Sequence, residues 1–170
     1  AIGRLGEAPI FIDDNPNLTV MDLRAKARRL KSAPGGLGLI VVDYLQLMSG
    51  RANAESRQVE VSEMSRGLKI LARELEVPVI ALSQLSRSLE MRADKRPVLA
   101  DLRESGSLEQ DADCVLMMHR PDRYEPGQHE GVIEVIVAKN RSGPVGEVTL
   151  KFVKQFMLYE DFNVGTPFDS

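Results

Sequence analysis

The chain has 170 residues, 43% of them hydrophobic and 28% charged, which describes one ordinary soluble globular domain with room for a substantial core, not a disordered chain. A net charge of −3 excludes an overall basic footprint for nucleic acid, and no apolar run reaches the roughly 18 residues of a membrane-spanning helix. The one cysteine excludes an internal disulfide, no Cys/His cluster suggests zinc, and the start at Ala1 has no signal-peptide character, so a reducing cytoplasm is expected.

In chain order, Pro9 to Ile12 reads as a strand ended by Asp13-Asp14-Asn15-Pro16. Thr19 and Asp22 form a capping-box pattern that opens a basic helix to about Lys31. The break Ser32-Ala33-Pro34-Gly35-Gly36 follows. Leu37 to Asp43 is almost wholly apolar and β-branched, predicting a strand covered on both faces. After a polar loop from Ser49 to Arg57, Met64, Leu68, Leu71, Ala72 and Leu75 mark one face of a helix. Pro78 to Ser83 reads as a second buried strand, leading into Gln84. The loop from Leu85 to Gly106, a short helical piece and a strand at Cys114 to His119 come next. Cys114 begins an apolar run and is expected in the core.

Val132 to Ala138 and Glu147 to Val153 are β-rich, joined by turn chemistry from Lys139 to Pro144, and Phe156 to Tyr159 is a further strand candidate. Strands alternating with helices, then an antiparallel ribbon, predict an α/β domain with an antiparallel extension.

Four places can carry chemistry. Asp43 ends an apolar strand, the Walker B pattern, in which a carboxylate holds the magnesium of a bound nucleotide; an ordinary strand end has the same form. Gln84 ends the next strand, so it can lie at the same sheet edge, where an amide senses a γ-phosphate or orients water; a polar residue simply leaving a strand has the same form. Arg103-Glu104-Ser105-Gly106 offers a cation and a glycine that permits close backbone approach to phosphates, against the alternative of a solvated turn. Between Arg87 and Arg103, five basic residues face three acidic ones, and the region lacks obvious exposed aromatics for base stacking. Lys139 and Arg141, at i and i+2, can reach from one strand face into a neighbour's site, where an arginine acting in trans accelerates phosphoryl transfer about 10³–10⁵-fold. His119 and His129 have no partner at ligand spacing, and Glu90 in Ser88-Leu89-Glu90-Met91 is read as having no catalytic role.

Taken together, Ile40 to Met48, Pro78 to Arg87, Pro97 to Asp113 and Ala138 to Gly143 resemble the C-terminal ATPase domain of the bacterial replicative DNA helicases, the DnaB family. The block from Asp101 to Asp113 is the most specific and does not fit the recombinases that share the fold. The resemblance covers nearly the whole chain, from Pro9 to about Phe156. It implies a RecA-like ATPase core and a partial helicase domain spanning residues 1–170, running from Walker B to the C-terminal motifs. ATP and Mg²⁺ are the implied cofactors, with a homo-hexamer around single-stranded DNA moving 5′→3′ at the replication fork. Primase and a helicase loader are the implied partners. By the same resemblance Asp43 is the Walker B aspartate and magnesium ligand, and Gln84 the γ-phosphate sensor. Arg103, Glu104 and Gly106 contact DNA, the loop after Met48 faces the central channel, and Lys139 and Arg141 reach the adjacent subunit's ATP, Arg141 as the finger.

The family's G-x-x-x-x-G-K-[ST] phosphate loop occurs nowhere in these residues, and neither does its upstream catalytic glutamate. The expectation is a fragment of a longer helicase, missing the Walker A strand and helix, without ATPase activity of its own and of marginal stability. A silent or split module that joins or regulates a helicase ring is the alternative.

Overall fold

In a computed structural model of the chain, residue 3 and residues 6–50, 56–125 and 127–162 are described, with backbone alone at 103–105. The chain divides into two compact units, residues 1–84 with 104–111, and residues 85–103 with 112–170.

The first unit is built on helix α1 (Val20–Ser32), strand β1 (Ile40–Val42), helix α2 (Arg57–Leu75), strand β2 (Val79–Ala81) and the short helix α3 (Gly106–Asp111). The capping box expected at α1 forms: the Thr19 hydroxyl accepts from the Asp22 N–H, and the Asp22 carboxylate accepts from the Thr19 N–H. Ser56 caps α2, and Glu76, in the left-handed region at φ 51°, ends it two residues before Pro78. Val61, Met64, Leu68, Leu71 and Leu75 recur at helical spacing on one face of α2. They close over Ile40 and Val42 of β1 and over Leu45, Met48 and Ala27 to make the core. Helix α1 comes so close to α2 that a Cβ on Gly67 would stand 2.7 Å from a methyl of Val20. Arg24 and Arg28 of α1 both ion-pair with Glu74 of α2.

β1 and β2 are parallel, with Ile40 opposite Val79 and Val42 opposite Ala81. Both strands are shorter than their apolar runs predict, and only one face of the pair is covered. Val41 and Ile80, opposite each other on the second face, are 57% and 52% exposed. The helices of this unit lie on the Ile40–Val42 side, and no described element of the unit covers the other. The predicted strand at Pro9 to Ile12 does not form either: no described strand pairs with it, and Ile12 is 88% exposed.

The second unit is an antiparallel sheet of β3 (Cys114–His119), β4 (Val132–Asn140), β5 (Gly146–Val153) and β6 (Leu158–Asp161), in that order across the sheet. The ribbon predicted for the last third of the chain is present; its last strand starts two residues later than the predicted Phe156 to Tyr159, because Lys154–Phe156 form a single 3-10 turn before it. Met117, Ile133 and Phe152 are buried. Cys114 is exposed rather than in the core, as are Leu116 and Met118, because β3 is an edge strand whose alternate residues turn to the uncovered face. Arg120 lies over the Phe152 ring, 5.1 Å from its centre, and grips Asp122 through two nitrogens at 3.2 and 3.0 Å. Lys154 places a second cation on Asp122 at 3.2 Å.

Candidate functional site

Parallel pairing of β1 with β2 brings both carboxyl ends to one edge, the position where open α/β sheets bind ligands. The pairing continues past the strands: the Leu82 N–H donates to the Val42 carbonyl, and the Leu45 N–H to the Leu82 carbonyl, each at 2.9 Å. Asp43 and Gln84 therefore leave the sheet at the same edge, as their strand-end positions predict. Asp43 is exposed, and its carboxylate has no hydrogen bond or ion pair among the described residues. Gln84 is also exposed, and its bonds run through its backbone. The Asp43–Tyr44 peptide bond is cis. Leu45, fully buried, roots the turn that follows Asp43 in the core.

Gln46 ties the two strand exits together. Its amide nitrogen donates to the Ser83 hydroxyl at 3.1 Å and to the Gln84 carbonyl at 3.5 Å, and its amide oxygen accepts from the Gln84 N–H at 3.3 Å. Arg57, the first residue of α2, donates to the Gln46 carbonyl at 2.7 Å. Sequence reasoning assigned Gln46 no role of its own. The available signal was a polar residue set between Leu45 and Leu47, immediately after the strand that ends in Asp43.

The segment from Leu85 to Arg103 is an ordered scaffold. Arg92 holds the Asp101 carboxylate through its two terminal guanidinium nitrogens, the Asp101 carboxylate also accepts from the Val98 N–H at 2.8 Å, and the Ser86 N–H bonds the Asp101 carbonyl at 2.9 Å. Lys95 donates to the carbonyls of Glu90 and Arg92, and Arg96 ion-pairs with Glu134 of β4 and Glu147 of β5. Three of the five cations in this stretch thus serve the fold. The side chains of Arg103 and Glu104 lie outside the described residues, as do residues 51–55 of the loop after Met48. Gly106 is exposed at the start of α3, with nothing within 4 Å of a Cβ placed there. α3 is fastened to α2 by Ser107 to Ser62 and by Ser65 to Asp111, each 2.8 Å.

Lys139 lies within β4, whereas Arg141 is the first residue beyond it. The two therefore do not share one strand face in the simple way that i, i+2 spacing predicts. The Arg141 N–H donates to the Asp113 carbonyl at 2.8 Å, extending the β3–β4 ladder by one step, and its guanidinium contacts the Asp113 carboxylate at 3.2 Å. Opposite Val115 and Leu116 of β3 stand Lys139 and Val137, which leaves Ala138 as an extra residue on β4. Such a bulge re-aims the side chains that follow it.

Glu90 accepts from the Tyr124 hydroxyl at 3.1 Å. Burial and that carboxylate together hold the Tyr124 phenol above its ordinary range. His119 stacks on Tyr124 at 5.9 Å between ring centres. Among the described residues no three His, Cys, Asp or Glu side chains converge in a metal-binding group.

The model of the DnaB-like helicase C-terminal domain matches residues 1–161. The chain belongs to that family. This DnaB-like domain is 59% identical over 158 residues to the replicative DNA helicase DnaB of Geobacillus stearothermophilus, covering 92% of the chain and 35% of that protein. The chain thus spans about a third of the relative's length. One solved ATPase domain superposes with a TM-score of 0.90 at 44% identity, over 95% of the chain and 58% of that structure. A DnaB-like replicative helicase, solved in a study of its interactions with primase, gives 0.89 at 44% identity over 95% and 40%. The RadB recombinase gives 0.52 at 18% identity over 82% of this chain and 59% of that one, a likeness of fold alone. The DnaB-like domain thus has the RecA-like α/β fold that its sequence resembles.

Proposed function

We propose that this DnaB-like domain is the metal-side, DNA-contacting and trans-acting part of a hexameric replicative helicase that unwinds duplex DNA 5′→3′ with ATP. The observation that carries the reading is that the strands ending at Asp43 and leading to Gln84 pair in parallel, so that both residues leave the carboxyl edge of β1 and β2, in a chain of this family. An exposed carboxylate without a protein partner among the described residues suits Mg²⁺, which takes few protein ligands and completes its shell with water and phosphate. The bound ion would neutralise charge on the ATP phosphates. Gln84 senses the γ-phosphate or orients the attacking water from the neighbouring strand end.

Arg103, Glu104 and Gly106 contact the backbone of single-stranded DNA, so binding is sequence-independent and salt-sensitive. Lys139 and Arg141 act on ATP held by the adjacent subunit. Arg141 meets that role from a turn, where the guanidinium can exchange the Asp113 carboxylate for a phosphate. Primase and a loader are the proposed partners, and the cytoplasm the proposed compartment.

Phosphate cradling must come from outside these residues, since they contain no G-x-x-x-x-G-K-[ST]. The 170 residues alone should accordingly not hydrolyse ATP. The same observation favours a second reading, a silent module that joins or regulates rings. A fork with a 5′ tail separates the two. The natural full-length gene product should unwind it with ATP and magnesium, and Asp43→Ala should abolish unwinding. A natural product that binds helicase rings but neither hydrolyses ATP nor unwinds would establish the second reading.

A further inference from the structure

The structure assigns Gln46 as the positioning residue of the phosphate sensor, an inference that rests on the reading of Gln84 given above. Gln84 stands one residue past Ser83, beyond the last paired position of β2, where the ladder no longer fixes the backbone. Its main chain is instead held by side chains: the Ser83 hydroxyl donates to the Gln84 carbonyl at 3.5 Å, and Gln46 engages both backbone groups. The Gln46 amide accepts from the Gln84 N–H and donates to the Gln84 carbonyl, satisfying both backbone groups of the same residue as a neighbouring strand would. The contact to Ser83 adds a third point. An amide is the side chain that can do this, because it carries an acceptor and donors on one planar group.

Gln46 is itself fixed from both sides. Leu45 before it is fully buried, and its own carbonyl is taken by Arg57 at the start of α2. With its backbone held on Gln46, Gln84 directs its exposed side-chain amide from a set origin at the edge that also carries Asp43. Loss of the clamp leaves the β1–β2 ladder and the core intact, so the effect falls on alignment in the transition state rather than on nucleotide binding.

The test uses the natural full-length gene product and separates kcat from KM for ATP. Gln46→Ala is expected to lower kcat about 10- to 100-fold, the cost of a misplaced catalytic group, while KM and ADP affinity stay within about twofold. Gln46→Glu keeps the acceptor for the Gln84 N–H but loses both donated bonds, and should give an intermediate kcat. In the Gln46→Ala, Gln84→Ala double variant the losses should not multiply, because both act on one group. Melting temperature and ring assembly, followed alongside, should match the parent, and the milder Gln46→Glu gives the readout should the alanine variant misfold.

The outcomes are distinct. If Gln84→Ala loses turnover while Gln46→Ala and Gln46→Glu keep the parental kcat, the positioning role is overturned and the sensor reading stands. If Gln84→Ala itself keeps full turnover, the sensor reading falls and the positioning role with it. A loss in Gln46→Ala that appears equally in ADP affinity and melting temperature also overturns the proposal, since it marks a structural residue.

Discussion

Arg92 grips Asp101 through two parallel hydrogen bonds of 3.0 and 3.1 Å, on a carboxylate only 4% exposed, two residues before Arg103. The pair and the Val98 N–H together fix the turn that leads into the proposed DNA contact. Arg92→Ala would strand a buried carboxylate. We expect a loss of about 2 kcal/mol, less than for a fully buried pair because Arg92 is itself about a third exposed. Denaturant unfolding gives the number. Weaker single-stranded DNA binding should accompany it, and an unaltered midpoint would show that water replaces the guanidinium at no cost.

Asp43→Asn keeps the shape of the strand exit and removes its charge. ATP hydrolysis by the full-length product should fall by about two orders of magnitude or more, with folding stability nearly unchanged because the carboxylate has no partner among the described residues. Turnover close to the parent's, across a magnesium titration, would remove Asp43 from the metal site.

Arg141→Ala should spare ring assembly and strip most ATPase activity, by about 10³-fold if the guanidinium acts as a trans finger. The decisive experiment mixes it with a hydrolysis-dead Asp43→Ala protein. Shared sites that pair an intact Arg141 with an intact Asp43 should recover turnover. No recovery in mixed rings would place Arg141 outside the neighbour's site.

Arg103→Ala should weaken single-stranded DNA binding uniformly across sequences. The salt dependence should fall by about 0.7 for each phosphate that the arginine neutralises, the value for single strands. Affinity measured between low and moderate salt reads this directly. An unchanged slope would argue against a role in phosphate binding.

The Glu74 carboxyl is held below the usual glutamate range chiefly by its bond to Arg24, with Arg28 adding to it. Asp122 is depressed by Arg120 and then Lys154. For a depressed carboxyl the stabilisation is complete above the unfolded-state pKa and disappears as pH falls through the lower folded value. Thermal stability should therefore drop in the acid range below the ordinary carboxylate values, and Glu74→Gln should flatten that drop. An acid limb of the same steepness in Glu74→Gln and the parent would exclude the α1–α2 ion cluster as a contributor.

Local signals were legible in the sequence where the physics is local. The Thr19–Asp22 capping box, the apolar face of α2 and the antiparallel ribbon each follow from a few neighbouring residues, and each is present. The strand-end positions of Asp43 and Gln84 were legible too, because periodicity and strand-breaking residues locate strand ends. Burial was misread at Val41, Ile80 and Cys114, since an apolar run states what a residue favours and not which neighbours are there to cover it. The shared edge of the two carboxyl ends was an expectation of the sequence, but only the tertiary structure set the register that realises it, with Ile40 opposite Val79 and Val42 opposite Ala81. Tertiary structure alone gave Gln46 its task and tied Arg92 to Asp101, because a hydrogen bond depends on direction and distance that no residue type carries by itself.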